Sequence, residues 1–213
     1  MAQPLSTLLL AQLAIGLFAV MTSAQEVVPI RNEPLRVVVY SGDMLTFMAQ
    51  LSVTFETCFS FEIDPLEPRP NLTFSVKDAT LDDVMNAIVK AKPTYAWRRN
   101  GKTIEIYPVG HANPLLETRI SSLRLSNTKL KEALQHLMYS SEINSAIANF
   151  GLIHGPIGGA DDQSRSVSLS ADNITLRQAL NQIAETSGVK FWSFELIGPN
   201  RDIVSISLRT DVQ

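Results

Sequence analysis

The chain has 213 residues, 18 Lys and Arg against 21 Asp and Glu, a net charge of −3, and one cysteine. So mild a charge argues against a nucleic acid or an anionic membrane surface as partner, and one cysteine rules out an intramolecular disulfide. The length allows one or two domains.

Residues 1–24, MAQPLSTLLLAQLAIGLFAVMTSA, carry no charged side chain. The apolar stretch Leu8 to Met21 runs into Thr22-Ser23-Ala24, small residues of the kind a signal peptidase cuts after. No Lys or Arg precedes it, which leaves a retained anchor as the competing reading. The stretch is shorter than the roughly 20 residues that span a bilayer. A signal peptide cleaved near Ala24 is therefore expected, with no membrane span in the mature chain and a periplasmic or secreted location. Residues 25–34, with two prolines and no periodicity, read as a linker.

Leu35 to Tyr40 is a β-branched run and predicts a strand. Asp43 is placed to cap a helix whose apolar face is Leu45, Met48, Leu51 and Phe55. Cys58 to Ile63 alternates as a strand, with Cys58 expected to be a buried small hydrophobe, and a proline-rich turn follows from Pro65 to Pro70. Leu72, Phe74 and Val76 alternate again, and Thr80 with Asp83 begins a helix striped by Leu81, Val84, Met85, Ile88 and Val89. Tyr95–Arg98 and Thr103–Tyr107 flank Asn100-Gly101, a strong hairpin signal. Residues 35–108 thus predict a domain of order β-α-β-β-α-β-β.

Residues 109–114 form a second linker, and 115–210 a second domain. Thr118 to Leu125 predicts a strand, and Leu130, Ala133, Leu134 and Leu137 a helix. Glu142 to Phe150 reads as a short strand. The Gly-rich segment 151–164 reads as a loop insertion, long enough to be a candidate for a regulated contact. Val167 and Leu169 open the next strand, Thr175-Leu176-Arg177-Gln178 is a capping box, and Gly188 closes the helix. Val189–Ile197 and Ile203–Leu208 predict a last hairpin.

One pattern is written twice. Leu72 to Lys90 and Val167 to Glu185 share, in one ungapped register, Ser75/Ser170, Thr80/Thr175, Leu81/Leu176, Asn86/Asn181 and Ile88/Ile183, and Trp97/Trp192 continue it. Repetition of this kind marks a reused structural unit. The fold expected is α+β: two tandem small domains, each with two helices packed on short sheets.

The first unit resembles the secretin and TonB short N-terminal domain, found ahead of outer-membrane secretins and of signal-transducing TonB-dependent receptors. The resemblance rests on Gly42-Asp43-Met44-Leu45, Phe59-Ser60-Phe61-Glu62-Ile63-Asp64, Leu72 to Val76, Thr80 to Met85, Tyr95-Ala96-Trp97 and the Asn100-Gly101 hairpin ending in Ile104-Glu105-Ile106. Residues 115–209 are similar to a divergent second copy. Two features depart from the family: Glu56-Thr57 stands where it has a glycine, and no pore or barrel region precedes Gln213. The resemblance implies docking to partner proteins of the cell envelope, and nothing catalytic.

Candidate chemistry is sparse. His111, His136 and His154 fit no metal-ligand spacing. Asp82-Asp83 belongs to a helix start, where acidic groups suit the dipole, and Asp161-Asp162 to the loop. His154 to Ala160 lacks the order and the lysine of a phosphate-binding loop. Arg98, Arg99 and Lys102 make a basic hairpin tip beside Trp97 and Tyr107. Trp97 and Trp192 read as core anchors, and the sequons at Asn71 and Asn173 as chance. The expectation is a non-enzymatic docking module with no cofactor, no metal and an envelope protein as partner. The alternative is a periplasmic small-ligand binding protein with a cleft between its halves.

Overall fold

The computed structural model describes residues 35–158 and 164–209. The signal segment 1–24, the linker 25–34 and residues 159–163 of the expected loop, with Asp161-Asp162, lie outside them. The first half follows the predicted order: β1 (Leu35–Asp43), α1 (Met44–Thr54), β2 (Cys58–Glu62), β3 (Asn71–Ala79), α2 (Leu81–Ala91), β4 (Tyr95–Asn100) and β5 (Thr103–Pro108). The second half opens on a 3₁₀ turn, Pro114–Glu117. It continues through β6 (Arg119–Lys129), α3 (Leu130–Met138), α4 (Ser141–Asn149), β7 (Ile153–Gly158), β8 (Ser166–Thr175), α5 (Leu176–Ser187), β9 (Phe191–Ile197) and β10 (Ile203–Arg209). The α+β class is the one expected.

Local chemistry sets the helix starts. The Asp43 carboxylate accepts from the Thr46 amide at 2.7 Å, and Thr80 and Thr175 each close a full capping box, with Asp83 and Gln178. Ahead of three helices the strand turns through a left-handed residue: Asp78 (φ 49°), Asn127 (φ 48°) and Asn173 (φ 51°). Each stands two positions before the N-cap, Thr80, Lys129 or Thr175. Asp and Asn tolerate that conformation better than other residues with a Cβ. The recurring kink aims each helix back over its strands.

Two expectations are corrected. Glu142 to Phe150 is not a strand: α4 covers Ser141–Asn149 and buries Ile143, Ala146 and Ile147, whose spacing of three and four is helical. Nor is 151–164 simply a loop, because Ile153–Gly158 is a strand, β7, paired in parallel with β10 across a bulge. Its glycine answers to close packing. A Cβ on Gly155 would lie 2.4 Å from the Val204 carbonyl oxygen, so only glycine lets the two strands approach here.

The strands that precede helices form two separate antiparallel ribbons, β1–β3 and β6–β8. The strands that follow helices merge into one six-stranded sheet of order β4-β5-β2-β9-β10-β7. The halves expected as tandem domains are therefore joined through their sheets. The order β4-β5-β2 is repeated as β9-β10-β7, and the join is the parallel pair β2–β9. Ser60 lies opposite Trp192 in that pair, so Trp192 points to the face away from Phe59 and Phe61. The second half's α5 thus lies on the opposite face of the sheet from the first half's α1 and α2. Each core takes in a residue of the other half: Phe191 packs with the α1–α2 cluster, and Cys58 with the α3–α5 cluster.

Candidate functional site

The repeat carries one specific hydrogen bond. Trp97 Nε1–H donates to Asn86 Oδ1 at 3.1 Å, and Trp192 Nε1–H donates to Asn181 Oδ1 at 2.9 Å. In each half this bond ties the helix to the strand that follows it. The surroundings then diverge. Trp192 and Asn181 are buried at the join, whereas Trp97 is half-buried and Asn86 exposed at the end of the sheet.

At the join, α5 reaches across onto the first half through Arg177, Asn181 and Glu185, which lie one turn apart along a single side. Arg177 donates to Glu62 at 2.6 Å and to Glu117 at 2.9 Å. Asn181 Nδ2 donates to Glu105 at 2.6 Å, and Thr103 Oγ1 donates to Glu185 at 2.7 Å. The Asn113 amide also donates to Glu62. Arg177 and Glu62 are 3% and 1% exposed, so removal of Arg177 would leave the buried Glu62 carboxylate without a countercharge. Burial pushes the Glu62 carboxyl up, while Arg177 and the Asn113 amide hold it back. Glu105 is wholly buried and is also held by Arg98 Nε at 2.6 Å and by Asn100 at 2.9 Å. These pairs lie at the join between the halves.

Among the described residues the sheet ends in two open edges. β4 forms one, with Arg98 and Arg99 exposed on it. Arg99 pairs with Asp82 at 2.7 Å, and the Arg98 guanidinium lies 5.1 Å from the centre of the Tyr107 ring. The other edge is β7, interrupted by Pro156 and its bulge, two features that blunt an edge against pairing. Beside β7 lies an exposed patch of Tyr139, Phe150 and Ile153. The His154 ring stacks on Tyr139 at 4.7 Å and makes a 2.6 Å hydrogen bond with Asn144.

The candidate residues named from the sequence fall as follows. Trp192 is a core anchor; Trp97 is only half-buried, and sits on the open edge with the basic tip. His136 faces solvent on α3, where Gln135, His136 and Tyr139 line an open hollow. His111 is exposed in the connection after β5. No group of three or more His, Cys, Asp or Glu converges among the described residues. Asp82 meets Arg99, while Asp83 serves the α2 capping box. Cys58 is buried and its thiol is pushed up to about 12 by desolvation, which makes it unreactive near neutrality. Asn71 is exposed on β3, and Asn173 is the left-handed residue before α5. The row Arg177, Asn181 and Glu185 was not singled out from the sequence. The paired Asn and Trp of the two copies, eleven residues apart in each, were the signal that leads to it.

No family model, no curated protein and no solved structure matches the chain. No helix of the described residues is long and apolar enough to cross a membrane.

Proposed function

We propose that the chain is an exported, non-catalytic docking module of the bacterial cell envelope, similar in role to the periplasmic N-terminal domains of secretins and TonB-dependent transducers. The observation that carries this reading is the open β4 edge at the end of the six-stranded sheet, beside a half-buried tryptophan and a basic tip. An unpaired strand edge offers main-chain donors and acceptors to an incoming strand, the mode known as β-augmentation. The order β-α-β-β-α-β-β supports the resemblance drawn on residues 35–108. The ligand-binding alternative has less behind it, because charged and amide pairs occupy the join between the halves.

The test is photo-crosslinking of the full-length protein in cells from Val39, Arg99 and Ile153, one position on each of three exposed strands. Capture of an envelope protein, identified by mass spectrometry, is the expected result. Recovery of the protein alone with a small molecule in the eluate would overturn docking.

A further inference from the structure

The α2–β4 face is the uncovered counterpart of the α5–β9 face, and the protein's own fold shows what the latter binds. The carbonyls of Lys190, just before β9, and of Phe194 on it accept from the amides of Phe59 and Ile63, each at 2.9 Å, as β2 docks in parallel. The repeat places Tyr95 and Arg99 of β4 at the positions of Lys190 and Phe194. Among the described residues β4 is the last strand of the sheet, with no strand on its outer side.

The side chains extend the equivalence. Asn181 uses Oδ1 to hold Trp192 and Nδ2 to hold the Glu105 carboxylate, which stands on β5, one strand beyond β2. Asn86 uses Oδ1 in the same way on Trp97, and faces solvent. In the β2–β9 register Glu62 lies directly opposite Phe194, whose counterpart is Arg99. Asp82, the counterpart of Arg177, is already neutralised by Arg99. On this face Lys90, Arg99 and Lys102 stand against Asp82 and Asp83, a balance of one positive charge, while Arg98 is held on the other face by Glu105. We infer that the β4 edge accepts an acidic strand from a partner protein, running parallel to β4, with a carboxylate opposite Arg99.

A second copy of this chain is a poorer occupant. The strand it would offer is β7, which carries Pro156 and a bulge where β2 is regular. This inference rests on the docking reading and specifies its edge and its ligand.

The experiment titrates the full chain with the capped peptide SFSFEID, the sequence Cys58–Asp64 with serine for Cys58. Binding is followed by the NMR signals of the Trp97 indole N–H and the Arg99 amide. The expected result is saturable binding that moves these signals and leaves the buried Trp192 indole in place. The peptide carrying Glu62→Lys, and the protein variant Arg99→Glu, should each bind about tenfold more weakly. Equal binding of the two peptides, shifts confined to β7 or β1, or no saturable binding would overturn the inference. So would cellular crosslinks from Arg99 that reach only a second copy of this chain. Crosslinks from Val39 or Ile153 to an envelope protein, without peptide binding at β4, would leave docking standing and remove only the β4 assignment. No protein crosslink from any of the three positions would remove docking itself.

Discussion

Asn86 and Asn181 are the same residue in the same hydrogen bond, yet burial gives them different weights. Truncation of Asn181 leaves the Trp192 indole N–H without its partner in the interior and takes from one Glu105 oxygen one of its two donors, the other being Asn100. Asn181→Ala should therefore cost about 2–4 kcal/mol of unfolding free energy, and Asn86→Ala less than about 1 kcal/mol. Urea unfolding of the two variants checks this, and equal losses would contradict the contrast. Arg177 makes a sharper case. Arg177→Met strands the Glu62 carboxylate and should cost about 3–5 kcal/mol, whereas the double change Arg177→Met with Glu62→Leu should restore most of it. A double variant no more stable than the single one would mean that the lost bond to Glu117, not the stranded Glu62, carries the cost.

Elements depend on their ends. Thr80→Ala and Thr175→Ala each remove a capping box and should lower stability by about 1 kcal/mol. Helix α4 has no such cap from Ser140, but its Glu142 accepts from the Ser121 amide at 3.1 Å, from the Ser121 hydroxyl, and from Ser141 at 2.8 Å. Those bonds lower the Glu142 carboxyl to about 2. A carboxyl held below its unfolded value of about 4.3 stabilises the native state above that pH, and the contribution disappears as pH falls toward 2. Glu142→Gln should flatten stability against pH between about pH 5 and pH 2, with the sharpest difference from wild type at the upper end. A pair of thermal-melt series across that range would show it.

The same element marks where sequence reading stopped. Caps, hairpins and the first-half order were legible because each is written within a few neighbouring residues. Helix α4 was misread although Ile143, Ala146 and Ile147 have helical spacing, because their polar neighbours hid a narrow stripe. Strand β7 was missed because glycine and proline suggest a loop, whereas Gly155 is there to let Val204 come close. Helix α1 buries Met44 and Phe47 beside Met48 and Leu51, a face rotated slightly from the one read through Leu45. The join was illegible for a different reason. Glu62 and Arg177 meet across a long stretch of chain, and no local pattern announces such a pair.

At the scale of the molecule, the two halves share one sheet and should unfold as one. Phe191 sits in the first core and Cys58 in the second, so neither core is complete without the other half. The indole N–H signals of Trp97 and Trp192 should vanish along coincident curves in urea, as a two-state transition requires. Separate midpoints would mean that the halves unfold independently in spite of β2–β9. The β4 edge adds a contrast: the outward amides of β4 should exchange with solvent faster than those of β9, since β9 has a strand on each side.

The pairing of β2 with β9 also sets an order of events in time. Synthesis from the N-terminus completes β1 to β5 while β9, beginning at Phe191, does not yet exist. At ordinary elongation rates that interval lasts on the order of ten seconds. Throughout it β2 is a bare edge, with the Glu62 carboxylate still in water and the first core lacking Phe191. The nascent chain therefore passes through a stage that is most vulnerable to wrong pairing midway through its own production, and the hazard closes only when the second tryptophan-bearing strand arrives.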